Sequence, residues 1–127
     1  LTELNVFGDH YNSLYVTAIR DYSNVVDLAK AHVKAIKRLQ RDEGKQRYEF
    51  FNVGTGRGNS VMEIIKAFEK ATGQKINYKI TGRRAGDVEQ VYADTSYANR
   101  ELGWKAEASL EETLRSAWNW EKYARNR

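Results

Sequence analysis

Twice in this chain a serine is followed three residues later by a glutamate at the head of an apolar stripe: Ser60 with Glu63, and Ser109 with Glu112. At that spacing the serine hydroxyl accepts from the amide three residues on, and the glutamate reaches back to the serine amide. Two orphan N–H groups of a helix start are thereby satisfied together. The first stripe, Val61, Ile64, Ile65, Phe68 and Ala71, has helical period and is closed by Gly73, which predicts a helix over 61–72. The second, Leu110, Leu114, Ala117 and Trp118, predicts a final helix. A third is expected over 25–41. There Val25, Ala29, Val33, Ile36 and Leu39 form the stripe to be buried, Asn24 with Asp27 three residues on marks the start, and Gly44 the stop. A short helix near 96–102 has Asp94 as its expected cap.

Between these helices lie short runs of β character. YEFFNVG, residues 48–54, is apolar and aromatic and predicts a buried strand. Ile76, Tyr78 and Ile80 alternate with Asn77 and Lys79, predicting a strand with one wet face. Near the start, NVFGDHYNSLYVTAIRDY has room for two short strands around a turn. Strands alternating with helices predict an α/β fold. At 127 residues the chain suits one domain, 1–127, with a real hydrophobic core, and not two of ordinary size.

Composition narrows the function classes. The net charge of +4 raises the question of an anionic partner, but Lys and Arg are interleaved with acids, as in KAHVKAIKRLQRDE, which is the pattern of solvated helix faces and argues against nucleic acid. No apolar run reaches the roughly 18 residues of a membrane span, so no membrane partner is expected. LTELNVFGDHYN lacks the basic-then-apolar layout of a secretory signal. With no cysteine, disulfides and thiolate metal sites are excluded, and a reducing, cytoplasmic setting is the default expectation. Proline is also absent, where average usage of about 5% would give roughly six.

Three stretches invite a site reading. GTGRGNS lies between a predicted strand and a helix, where glycines let backbone amides approach a phosphate. Asn59 stands where the third glycine of G-x-G-x-x-G belongs, and no P-loop lysine follows, so a tight strand-to-helix turn accounts for Gly54, Gly56 and Gly58. GRRAGD puts two arginines, a flexible Gly86 and Asp87 in one loop. The arginine fork suits phosphate and the carboxylate suits sugar hydroxyls, although solvated loop charges would look the same. Arg20, at the junction TAIRDY, is either surface charge or a further prong of an anion clamp. The catalytic inventory is thin: His32 sits beside the apolar stripe of its helix, where packing is expected, His10 lies in a polar turn, no Tyr-x-x-x-Lys pair occurs, and no cluster has metal-ligand spacing.

Taken together, IRDYSNVVDLAKAHVKAI, FFNVGTGRGNSVMEIIKAFEKATG and RRAGDVEQVYADTSYANRELGWKAEASLEETLRSAWNWE closely resemble the C-terminal third of UDP-glucose 4-epimerases, in order and in spacing. That family is an extended short-chain dehydrogenase, with a Rossmann NAD domain and a smaller substrate domain. The resemblance implies that Arg20 and Arg84 bind the UDP diphosphate and that Asp87 bonds the ribose. It also implies that the strand carrying Asn5, Val6 and Phe7 lies along the uracil ring. Val91 falls beside the C2 substituent of the sugar, and a valine there leaves room for an N-acetyl group. The NAD loop, the catalytic Ser or Thr and the Tyr-x-x-x-Lys pair belong to the half of the family not represented here. No cofactor is therefore expected in this chain, although the family uses NAD. The expected partners are UDP or a UDP-hexose, bound weakly, and either an epimerase N-terminal half or a second copy. Departures include Ser23 and Asn24 in place of Ile-His and Ala85 in place of the usual proline. With the missing prolines, they suggest a chain altered to stand alone; the alternative expectation is a structural fold without ligand, its UDP-binding residues relics.

Overall fold

The computed structural model describes residues 3–8, 17–41 and 48–126. The chain order is β1 (Leu4–Phe7), β2 (Ile19–Arg20), α1 (Val25–Gln40), β3 (Asn59–Ser60), α2 (Val61–Thr72), β4 (Tyr78–Thr81), β5 (Gln90–Val91), α3 (Ser96–Glu101) and α4 (Leu110–Arg125). It is a small α/β chain. Tertiary contacts gather it into two units, one of Leu1–Arg20, Gly58–Val91 and Ser109–Arg127, the other of Asp21–Arg57 and Tyr92–Ala108.

In the first unit both capping boxes form as the spacing predicts. Ser60 Oγ accepts from Glu63 N at 3.2 Å while Glu63 Oε2 accepts from Ser60 N at 2.7 Å. The Ser109/Glu112 pair repeats this at 3.1 and 2.8 Å. Each cap is worth about 1 kcal/mol. α2 covers 61–72 and ends on Gly73, whose φ of 71° is the left-handed conformation a glycine cap supplies without strain. α2 packs on α4, with Phe68 and Trp118 edge to face at 5.8 Å. Ile65 is buried, a contribution of about 1.5–3 kcal/mol.

β1 and β4 pair in parallel with Phe7 opposite Thr81, and β2 lies between antiparallel β3 and parallel β5, with Arg20 opposite both Asn59 and Val91. The two early strands therefore form, but each pairs elsewhere rather than with the other. Their expected turn, with His10, lies outside the described residues. Wetting of β4 is broader than alternation predicts, since Tyr78, Lys79 and Ile80 are all exposed.

The second unit corrects the reading of α1. Its expected stripe faces solvent, with Val25 75%, Ile36 55% and Leu39 76% exposed. The opposite face is buried through Asp27, Ala31 and Ala35, against Ala98, Leu102, Trp104, Phe51 and Val53. Periodicity located both faces of the helix but picked the wrong one, because small residues and an acid supply the inward side. Asp27 lies in the first turn of α1, and it also ties the helix to a distant loop. Its carboxylate accepts from the amides of Glu107 and Ala108 at 3.1 and 3.0 Å, and its carbonyl accepts from Trp104 Nε1 at 2.9 Å. Asn24 is the cap, accepting from Val26 N at 2.8 Å, which gives this residue a local reason to be polar. His32 is exposed rather than packed, its ring Nδ1 lying 2.8 Å from Leu28 O.

The run 48–54 forms no strand. Phe51 and Val53 point inward, and Phe51 stacks on Tyr97 at 5.3 Å, but Phe50 is 81% exposed. Arg38 holds this segment, giving a bidentate pair to Glu49 at 2.9 and 3.0 Å and a third bond to Glu101 O at 3.0 Å. The N-cap of α3 is Thr95, whose side chain makes no capping bond; the expected cap, Asp94, lies one residue earlier and accepts from Ser96 N at 3.0 Å, and the helix ends at Glu101. No described helix is long and apolar enough to cross a membrane.

Candidate functional site

All six residues singled out for a UDP site lie in the first unit. Arg20 ends β2, and its Nη2 donates to Asp87 Oδ1 at 2.9 Å while Nη1 donates to Ile19 O at 2.7 Å. Arg84 approaches the same carboxylate from the other side, with Nε and Nη2 at 3.4 and 3.3 Å from Asp87 Oδ2. Its guanidinium carbon lies 4.5 Å from the centre of the Phe7 ring, a cation–π contact. Phe7, Arg84, Asp87 and Arg20 thus form one continuous chain of contacts. Val91 joins by register opposite Arg20 and is exposed. Asn5 stands apart from the arginines: it borders an open 460 Å³ cavity lined by Leu4, Phe68, Ile76 and Trp118.

The loop that brings this together is a tight turn. Asp87 N donates to Arg84 O at 3.3 Å, and Gly86, third of the four residues, has a φ of 78°. A positive φ at that position is what a type II turn requires. The turn folds Asp87 back toward Arg84, and the Asp87 backbone carbonyl accepts from Arg83 Nη2 at 3.4 Å. Two cations sharing one carboxylate, with an aromatic face beside them, gather several fixed guanidinium donors whose chemistry suits an anion.

The second unit settles the glycine-rich stretch. The Asp21 carboxylate accepts from Thr55 N at 3.0 Å, Thr55 Oγ1 at 2.8 Å, and Gly56 N and Ala93 N at 3.3 Å. Arg57 N is taken by Thr55 Oγ1 at 3.1 Å. Three loop amides therefore already have partners. A Cβ on Gly54 would lie 2.5 Å from Asp21 Oδ2, so this glycine exists to let the carboxylate in. Partial burial alone would push the Asp21 carboxyl up, but the bonds from Thr55, Ala93 and Gly56 outweigh it and hold the group below its usual range. These amides are already engaged and do not fit a dinucleotide phosphate; with no strand before them, the glycines lie in a bent loop anchored on Asp21 rather than in the expected strand-to-helix turn. Sequence reasoning missed Asp21. The available signal was an acid directly after Arg20, in the extended segment between β2 and α1. Among the described residues no group of three or more His, Asp or Glu is placed to hold a metal ion.

Against known proteins, the profile of the family described as GDP-mannose 4,6 dehydratase matches residues 8–117. UDP-glucose 4-epimerase 1 of Oryza sativa subsp. japonica is 49% identical over 117 residues, which are 92% of this chain and 33% of the rice protein. The crystal structure of UDP-glucose 4-epimerase from Stenotrophomonas maltophila, with bound NAD and formylated UDP-arabinopyranose, matches with a TM-score of 0.94 at 43% identity, covering 99% of this chain and 37% of that one. The enzyme from Bifidobacterium longum in complex with NAD+ and UDP matches with a TM-score of 0.87 at 46% identity, covering 99% and 36%. The chain spans about a third of the length of these relatives.

Proposed function

Because the chain belongs to the family described as GDP-mannose 4,6 dehydratase, we propose that its 127 residues are the UDP-holding, C-terminal portion of a UDP-hexose 4-epimerase. The observation that carries this reading is the convergence of Arg20 and Arg84 on Asp87 beside the Phe7 ring. Two guanidiniums from separate elements supply the fixed, multidentate donors that a diphosphate needs. Phe7 offers an aromatic face to a base, and Asn5, two residues back on the same face of β1, offers an amide to the base edge. The sugar extends toward Val91, where the small side chain admits an N-acetyl group.

This portion binds and does not epimerise. Hydride chemistry needs NAD and a proton acceptor, and the loop amides that resemble a dinucleotide site are committed to Asp21 and Thr55. No step of the reaction is therefore assigned to these residues beyond gripping the nucleotide. The exposed apolar stripe of α1 supports the further reading that a longer polypeptide, or an epimerase N-terminal half supplied separately, covers that helix. The unpaired segment at Phe50 has the same character.

Calorimetric titration with UDP at two salt concentrations tests the binding, alongside Arg20→Ala and Arg84→Ala. One-to-one binding that weakens at high salt and disappears in both variants is expected. A folded protein that gives no heat would mean that the residues mark ancestry only.

A further inference from the structure

We propose that the groove between α1 and residues 103–107 docks an acidic amphipathic helix of a second protein. The groove lies within the second unit and shares no residue with the nucleotide site, so it stands whether or not UDP binds. Val26, Lys30, Val33 and Lys37 follow one another at spacings of four, three and four, and so form a single line along the helix. Val26 is 58% and Val33 50% exposed, and the small Ala29 beside them is exposed as well. This line lies about a third of a turn round α1 from Val25, Ile36 and Leu39, so it is a second exposed face. With Trp104 across from it, the line bounds an open groove of 380 Å³.

The two walls are tied together. Trp104 Nε1 donates to Asp27 O at 2.9 Å, and the buried Asp27 carboxylate accepts from the amides of Glu107 and Ala108. The groove is therefore formed before a partner arrives, and ordering it costs binding little. Its rim sets the charge of the partner. Lys30, Lys34, Lys37 and Lys105 line the groove with Glu107 as the one acid among the lining residues, and Glu107 is already paired with Lys30 at 2.8 Å. Lys34, Lys37 and Lys105 are exposed and make no ion pair among the described residues. A second copy does not fit, because groove against groove would set lysines facing lysines. A polyanion without apolar groups would leave Val26 and Val33 uncovered. An acidic amphipathic helix answers both, with apolar residues on the valines and carboxylates on the lysines. The line from Val26 to Lys37 is about 16 Å long, which matches three turns of such a helix.

The test titrates the chain with a synthetic helical peptide carrying leucines at i, i+4, i+7 and i+11 and glutamates flanking them. Binding is followed by amide shifts and by the Trp104 indole N–H signal. One-to-one binding is expected, with shifts at residues 26–37 and 103–107. The same peptide with Gln for Glu, and an oligoglutamate without leucines, should each bind about tenfold more weakly. Lys34→Glu with Lys37→Glu should weaken the acidic peptide by about tenfold, since both lysines are on the exposed rim. A peptide with Lys in place of Glu should bind that variant better than it binds wild type, which a merely unfolded variant would not allow. Oligoglutamate or a short DNA duplex binding as tightly as the peptide would overturn the proposal in favour of a bare polyanion surface. Concentration-dependent shifts at residues 26–37 without peptide would overturn it in favour of a second copy. Displacement of the peptide by an epimerase N-terminal half would overturn it in favour of an internal contact, and no binding by the folded chain would end it.

Discussion

Gly54→Ala and Asp21→Ala should damage the same interaction, and their combination should cost far less than their sum. Asp21 takes five donors, of which the two from Thr55, at 2.8 and 3.0 Å, are well made, those from Gly56 and Ala93, at 3.3 Å, are weaker, and that from Ser23 Oγ, at 3.5 Å, is weakest. With about 1.5–3 kcal/mol for a good bond to a charged group, and water able to reach the exposed Gly56, Asp21→Ala should cost about 3–5 kcal/mol. In Gly54→Ala the new Cβ would lie 2.5 Å from Asp21 Oδ2 and 3.0 Å from Ala93 Cβ, so the carboxylate must leave. The bonds to Oδ2 go first, a loss of about 2–4 kcal/mol. Once residue 21 is alanine the carboxylate is gone, and of the three nearest atoms the Ala93 Cβ at 3.0 Å remains. Urea unfolding followed by tryptophan fluorescence, extrapolated to water, gives the three differences. A double variant at least about 2 kcal/mol better than the sum is expected. Additivity within about 0.5 kcal/mol would refute the close fit of Gly54 to Asp21.

Other consequences follow from the same contacts. Hydrogen bonding from Arg38 holds the Glu49 carboxyl below its ordinary range, and Asp21 is also lowered. Stability from both groups should be fully present above their unfolded values of 4.5 and 3.8 and drain away as pH falls through their lower folded values. Urea midpoints should therefore be flat above about pH 5.5 and drop below it, and the drop should shrink in Glu49→Gln. Gly86→Ala meets no atom within 4 Å yet must hold a φ of 78°, so a destabilisation of about 1–2 kcal/mol with a matching loss of UDP affinity is expected by thermal unfolding and calorimetry. Ile36→Lys with Leu39→Glu should change stability by less than about 0.5 kcal/mol, because both side chains already face solvent, while reducing self-association in sedimentation.

What could be read in advance divides by range. The capping boxes of α2 and α4 and the Gly73 stop depend on residues three to thirteen apart, and local pattern found them. The buried face of α1 depends on the amides of Glu107 and Ala108, some eighty residues from Asp27, and no local pattern carries that. The apolar stripe of Val25, Val33 and Ile36 was visible, but periodicity does not say which of two faces is covered. YEFFNVG has β composition and an extended shape, yet a strand needs a neighbour to bond, and none pairs with it among the described residues. At the site, Arg20, Arg84, Asp87 and Phe7 were legible through likeness to a family rather than through spacing. That Asp87 joins the arginines became visible only with geometry, as did the anchoring of the glycine loop by Asp21.

Amide chemical-shift mapping during titration with UDP tests the two-arginine clamp most directly, because it reports where the nucleotide sits. The expected perturbations centre on Phe7, Arg20, the Arg84–Asp87 turn and Val91, and saturate together. Shifts confined to Gly54, Thr55 and Gly56, or scattered over the basic surface without saturation, would contradict the clamp.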